Sequence, residues 1–230
     1  MDAREYDTWY ETPRGRWVGR REVELVHAAL TPRPGESLLD VGCGTGFFTR
    51  ELACRMSGTV VGVDINPDWV AFAHRHDAGR ASYAVADARA LPFPDASFDC
   101  VVSVAAICFI PEETTAISEI VRVTRRRFAL GLLNKSSLLW MRKGRGGGRG
   151  AYRGAHWHTV LNANSLFRGL PVRHLRVRTA LHVQSGGLCA RLIERAWPPA
   201  VPTGAFILVT GDARKVTGIS PCQHLGEHVF

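Results

Sequence analysis

The sequence predicts an α/β fold of the doubly wound kind: a mostly parallel, seven-stranded sheet with helices on both faces and a small N-terminal helical cap. Three observations carry this expectation. From residue 37 onward, short apolar runs alternate with amphipathic segments, the pattern of βαβ units. A glycine-rich turn joins the first apolar run directly to a helix-like stretch. With 46% hydrophobic residues in 230 positions, the chain can fill a sizeable core. Residues 1–230 are expected to form one domain: a cap over 1–34, a ligand-binding core over 35–134, a lid with the last strands over 135–212, and a tail over 213–230.

The elements follow in order. Residues 1–30 precede the sheet and carry Tyr6, Trp9, Tyr10 and Trp17 beside a helix-like stretch from Arg20 to Leu30. Ser37 to Val41 reads as the first strand, and Phe47, Phe48, Leu52 and Met56 recur after it at helical spacing. Thr59 to Ile65 is β-branched and apolar. Behind it, Asn66 can cap a helix whose first position Pro67 suits. Ala81 to Ala86 and Phe98 to Ile107 read as the next two strands, and Pro111-Glu112-Glu113 opens a helix with Ile117, Ile120 and Val121 on its inner face. Phe128 to Leu133 is a fifth strand. Arg142 to Arg153 is too rich in glycine and charge for an interior element and reads as a loop. Val172 to Val183 and Ala205 to Thr210 read as the last two strands, with a helix from Leu188 to Ala196 between them and a polar tail after Asp212.

The formal charge of +8 hides an asymmetry. Residues 1–119 hold 18 acidic and 11 basic side chains, whereas residues 120–193 hold 15 basic and no acidic ones. So one-sided a segment favours an anionic partner. The opening residues are polar where a secretory signal needs an apolar stretch, which predicts a cytoplasmic location. The longest apolar run, Val101 to Ile110, is about half of the roughly 20 residues that cross a bilayer, so no stable membrane insertion is expected. Cys43, Cys54, Cys100, Cys108, Cys189 and Cys222 lack the spacing of a disulfide framework and are expected to be reduced. Cys222, His224 and His228 have metal-ligand residue types, but no paired cysteines accompany them, and no metal site is expected.

The functional signal is Leu38-Leu39-Asp40-Val41-Gly42-Cys43-Gly44-Thr45-Gly46, three alternating glycines between a buried strand and a helix. Glycine turns the backbone sharply and lets a ligand approach the main chain, while a helix start presents free N–H groups to a polar or carboxylated group. A nicotinamide or flavin site would need GxGxxG, but the third residue after Gly44 is Phe47, which argues against a dehydrogenase.

Asp40 through Gly46 resembles motif I of the class I S-adenosylmethionine-dependent methyltransferases, whose core is Rossmann-like. The resemblance covers about residues 35 to 135. It implies S-adenosylmethionine as cofactor, with Asp64 at the end of the second strand on the ribose hydroxyls and Asp87 at the end of the third on the adenine amino group. The implied cofactor-binding set is Asp40, Gly42, Cys43, Gly44, Gly46, Asp64, Ile65, Asp87 and Ala88. Leu91-Pro92-Phe93, with Ser97-Phe98-Asp99, resembles the type 11 branch that contains quinone-biosynthesis and related small-molecule methyltransferases; the leader WYETPRGRW is similar too.

Methyl transfer from a sulfonium needs positioning and desolvation more than acid-base groups. Where a general base helps, His156, His158, Tyr152 and Tyr10 are the candidates. Two acceptor classes follow. A small-molecule or lipid-like acceptor fits the resemblance and the absence of an Asn-Pro-Pro or Asp-Pro-Pro motif, since Val104-Ala105-Ala106-Ile107 ends the fourth strand. RNA is the alternative, along the basic segment 120–193 with its GRGGGRGAYRG run. A third reading is a protein that binds S-adenosylmethionine without catalysis. The acceptor atom and the oligomeric state are left open by the sequence.

Overall fold

The computed structural model describes residues 2–198 and 201–214. The tail residues Cys222, His224 and His228 lie outside them. Seven strands form one sheet in the order β3-β2-β1-β4-β5-β7-β6.

The N-terminal cap is two helices. Asp2 caps α1 (Ala3–Trp9) by accepting from the Glu5 amide, and Thr12 caps α2 (Pro13–Leu30) by accepting from that of Gly15. The expected helix from Arg20 thus starts a full two turns earlier, because Thr12-Pro13 is itself a start signal. Gly19 sits inside α2 where a Cβ would lie 2.7 to 2.8 Å from the rings of Phe47 and Tyr10. The missing side chain is what brings the helix down onto the aromatic cluster.

Three βα units follow, with a lone strand before the last: β1 (Leu38–Val41) and α3 (Phe47–Ala53), β2 (Val60–Asp64) and α4 (Pro67–His76), β3 (Ser82–Val85) without a helix, then β4 (Phe98–Val104) and α5 (Glu113–Val123), which leads into β5 (Thr124–Leu133). Strands β1 to β5 pair in parallel. The remainder is α6 (Val160–Ser165), β6 (Val172–Ala180), α7 (Leu188–Ala196) and β7 (Phe206–Ala213). β7 runs antiparallel to both β5 and β6, so the mostly parallel sheet contains one reversed strand.

Period-two alternation sorts the side chains onto two faces. In β1, Leu39 and Val41 join Ile117, Ile120 and Phe128 under α5, while Leu38 joins Val23, Val26, Leu30 and Leu52 under α2 and α3. Each fully buried aliphatic side chain contributes roughly 1.5 to 3 kcal/mol.

Several boundaries differ from expectation. The fourth strand stops at Val104, where Ala105 takes φ +55° and a short 3-10 turn, Ile107–Phe109, begins. The fifth starts at Thr124, because Arg125 and Arg126 find carboxylate partners in Asp99 and Glu36 and so tolerate a strand end. The sixth stops at Ala180, before Leu181 at φ +62°. Helix α6 was not expected; Thr159 caps it. Residues 142–153 take only short turns of π and 3-10 type, as their glycine content predicts. Cys43, Cys54, Cys100 and Cys108 are free thiols. Among the described residues no helix is long and apolar enough to cross a membrane.

Candidate active site

A cavity of about 430 Å³ opens at the carboxyl ends of β1, β2 and β4, where the strand order reverses. Such a switch point leaves a crevice because helices depart to opposite faces on its two sides. The glycine turn forms its floor. The amides of Gly42 and Cys43 both donate to the Val63 carbonyl, at 2.7 and 2.9 Å. Gly42 has φ +75°, and a Cβ there would stand 2.2 Å from the Ala106 methyl; Gly44 has φ +56°. A side chain at either position would be strained.

Asp64 ties this turn to the neighbouring strand. Its Oδ2 accepts from the Gly44 amide at 2.8 Å and its Oδ1 from the Asn66 amide at 2.9 Å. Gly42, Cys43, Gly44, Asp64, Ile65, Asp87 and Ala88 all line the cavity. Asp40 and Gly46 do not. Asp40 is buried and accepts from the Thr49 hydroxyl at 2.6 Å, and burial pushes its carboxyl up to about 7. Gly46 is the N-cap of α3 at φ +82°, and a Cβ there would meet Ala73 at 2.8 Å. Both serve the loop from behind. Burial raises the Cys43 thiol far above its ordinary value, so it stays protonated and is no nucleophile.

Asp87 is held more tightly than its sequence context suggests. Arg89 clamps it through Nε and Nη2, at 2.7 to 3.1 Å, and through its own amide at 2.9 Å, while Arg89 Nη1 reaches Glu112 at 2.7 Å. These bonds hold the Asp87 carboxyl below the usual range.

The opposite wall is aromatic. Tyr10 stacks on Phe47 with centroids 3.8 Å apart and planes 5° from parallel, and Tyr6 lies 5.1 Å from Trp69. The N-terminal aromatics therefore pack into the core and line the cavity at once. The Tyr6 and Tyr10 hydroxyls are 3.5 Å apart, and burial raises both pKa values, so both phenols are neutral near pH 7.

Of the four candidate bases, Tyr10 alone lines the cavity. Tyr152 packs against Trp157, and burial pushes it up to about 12; its neighbour Ala151 reaches the cavity instead. His158 is buried at the end of β5, its amide on the Leu133 carbonyl and its Nε2 2.8 Å from Glu113. His156 is half exposed and 3.7 Å from the same carboxylate. The basic segment is likewise partly spent: Arg122 pairs with Glu119 and Asp95, Arg125 with Asp99, and Arg126 with Glu36.

Sequence reasoning missed several lining residues, notably Thr45, Trp69, Arg89 and Phe109. Thr45 lies inside the motif, and its buried hydroxyl has no partner among the described residues. Trp69 is three residues past the Asn66 cap, which turns it back toward the strand ends. Spacing held that much of a signal; Phe109, in a short turn just past the expected end of the fourth strand at Ile107, had none.

Fold and cavity together define an α/β protein with a cavity over a glycine turn at the switch point of its sheet. Residues 39–128 match the family model described as a methyltransferase domain. An O-methyltransferase of Penicillium expansum is 37% identical over 113 residues, 47% of this chain and 41% of that protein. The 2-methyl-6-phytyl-1,4-hydroquinone methyltransferase of a Synechocystis strain is 38% identical over 112 residues, 45% of this chain and 35% of that protein. The chain therefore spans well under half the length of these relatives. A solved structure from Thermotoga maritima, described as an S-adenosylmethionine-dependent methyltransferase and possible histamine N-methyltransferase, superposes with a TM-score of 0.70 at 20% identity, over 92% of this chain and 95% of that one. The fold is thus the Rossmann-like methyltransferase fold, and the resemblance to class I methyltransferases is borne out over the core segment.

Proposed function

We propose that the chain is an S-adenosylmethionine-dependent methyltransferase that acts on a small-molecule or lipid-like acceptor. The observation that carries this reading is the Asp64 carboxylate bonded to the Gly44 amide on the floor of a switch-point cavity. The residues present fit the cofactor. Each Asp64 oxygen accepts one backbone N–H and keeps lone-pair capacity for a hydroxyl of a diol. Thr45 offers an unpartnered hydroxyl, and the glycines leave the main chain open. Asp87, kept ionised by Arg89, retains acceptor capacity for an amino group.

When bound, S-adenosylmethionine supplies an electrophilic methyl group on a sulfonium sulfur. The chain's own part is to hold and dry the site. Tyr6, Tyr10, Phe109 and Ile110 wall the acceptor side and exclude water, which favours an apolar acceptor. Tyr10, neutral through burial, serves as a hydrogen-bond donor that orients the acceptor, not as a base. The relatives' names, an O-methyltransferase and a hydroquinone methyltransferase, support a small acceptor. The ion pairs of Arg122, Arg125 and Arg126 weaken the RNA reading, since they consume part of the cationic track.

The test is transfer of a labelled methyl group from S-adenosylmethionine into a cell extract, with counts partitioned among organic-soluble, RNase-sensitive and protein fractions. Organic-soluble or small-molecule counts are expected. RNase-sensitive counts would overturn the acceptor class, and S-adenosylhomocysteine binding without any transfer would reduce the protein to a binder.

A further inference from the structure

A second cleft, of about 540 Å³, lies on the α2 face of the sheet, at the amino end of β5 and away from the glycine turn. On this face the sheet is apolar where α2 covers it, through Ala129, Leu208 and Ala180. Where α2 ends at Leu30, the next side chains of the same three strands are Arg127, Thr210 and Asp212, and Arg178 with Arg176. The edge strand β6 carries an irregularity between Arg173 and Arg176, with His174 at φ +51°.

The charges do not cancel. Asp212 is the carboxylate lining the cleft, and it is engaged by His174 at 2.7 Å and by Arg127 at 3.8 Å. Arg127 donates to the Leu30 and Thr31 carbonyls, and Arg178 to that of Leu25 at 3.2 Å. Those bonds fix two guanidinium groups in place without neutralising them. Arg176 has no hydrogen-bond or ion-pair partner among the described residues. Three guanidinium groups around one carboxylate leave an excess of positive charge, and the planar fork of arginine suits a tetrahedral anion with several acceptor oxygens.

We propose that this cleft binds the phosphate group of a small phosphorylated ligand, with Arg176 as the principal contact and Arg127 and Arg178 as preset flanking charges. A nucleic-acid backbone fits less well. The neighbouring Arg125 and Arg126 are paired with Asp99 and Glu36, which interrupts a cationic track along the start of β5.

Calorimetric titration of the whole chain with inorganic pyrophosphate at low salt tests this. The wild type is expected to bind saturably with one site, Arg176→Gln to bind about tenfold more weakly or worse, and Arg176→Lys to fall between. Arg149→Gln, in the distant glycine-rich loop, is expected to leave binding unchanged. Amide shift mapping with pyrophosphate on the wild type locates the site even if a variant is unstable. Absence of saturable binding, equal loss in Arg149→Gln, or shifts elsewhere would overturn the proposal. So would binding of a short single-stranded RNA that Arg176→Gln weakens while pyrophosphate binding is unaffected. S-adenosylhomocysteine binding is read in parallel, and its failure bears on the methyltransferase reading alone.

Discussion

The Gly44 amide donates to Asp64 Oδ2 at 2.8 Å, across 20 residues of sequence. This bond joins the turn after β1 to the end of β2 and so sets the width of the cavity floor. A carboxylate doing this holds the loop and still lines the cavity.

Asp64→Ala removes both the tie to the Gly44 amide and a carboxylate lining the cavity. S-adenosylhomocysteine affinity should fall by roughly 1 to 3 kcal/mol, the order for removing a charged hydrogen-bonding group. Calorimetry on folded protein checks it; an unchanged affinity removes Asp64 from the site.

Gly42→Ala places a methyl 2.2 Å from Ala106 in a backbone with φ +75°. Overpacking and the left-handed penalty together should cost about 2 to 4 kcal/mol, seen as a lowered Tm. Gly44→Val shares the left-handed strain at φ +56°, but its Cβ would lie 3.3 Å from the Trp69 ring, without the 2.2 Å overlap found at Gly42, so on the fraction that still folds cofactor binding is expected to be lost. Retained binding in folded Gly44→Val would count against the assignment of this loop.

Stability should carry an unusual pH signature. Burial raises the carboxyl of Asp40 to about 7 and that of Glu22 to about 8. An acid that binds its proton more tightly when folded stabilises the fold fully below its unfolded pKa. That contribution is lost as pH climbs through the folded value. Between about pH 4 and 8 these two groups therefore make stability decline with rising pH. Asp40→Asn, which keeps an acceptor for Thr49, should flatten the decline by an amount on the order of a few kcal/mol. Urea unfolding at pH 5 and pH 8 measures it; an identical pH dependence in the variant would refute the account.

Arg89→Gln should release Asp87. With the bidentate clamp gone, the Asp87 carboxyl is expected to move up toward the ordinary range in a carbon-detected titration, while the fold is unaffected. If the Asp87 pKa stays depressed, Arg89 is not its cause.

The alternation of runs, the caps at Asn66 and the glycine turn are written in neighbouring residues, because strand period, helix period and positive φ are local properties. Hence the βα units from β1 to β5, and the acids at two strand ends, could be read from the chain alone. Boundaries went astray where a distant partner decided them: Thr124 to Arg127 enter β5 because Asp99 and Glu36 neutralise arginines there.

Only the tertiary structure decided the rest. β7 slots antiparallel between β5 and β6, an order no local pattern encodes, since it depends on which free edge the returning chain meets. It is the packing of the cap against Phe47 that brings Tyr10 to the cavity, and the pairing of His158 with Glu113 that withdraws it. The sequence by itself determined the cradle, through glycine geometry and strand ends. Which aromatic, imidazole and guanidinium groups surround that cradle depended on contacts between segments far apart in the chain, and such contacts exist only once the chain has folded.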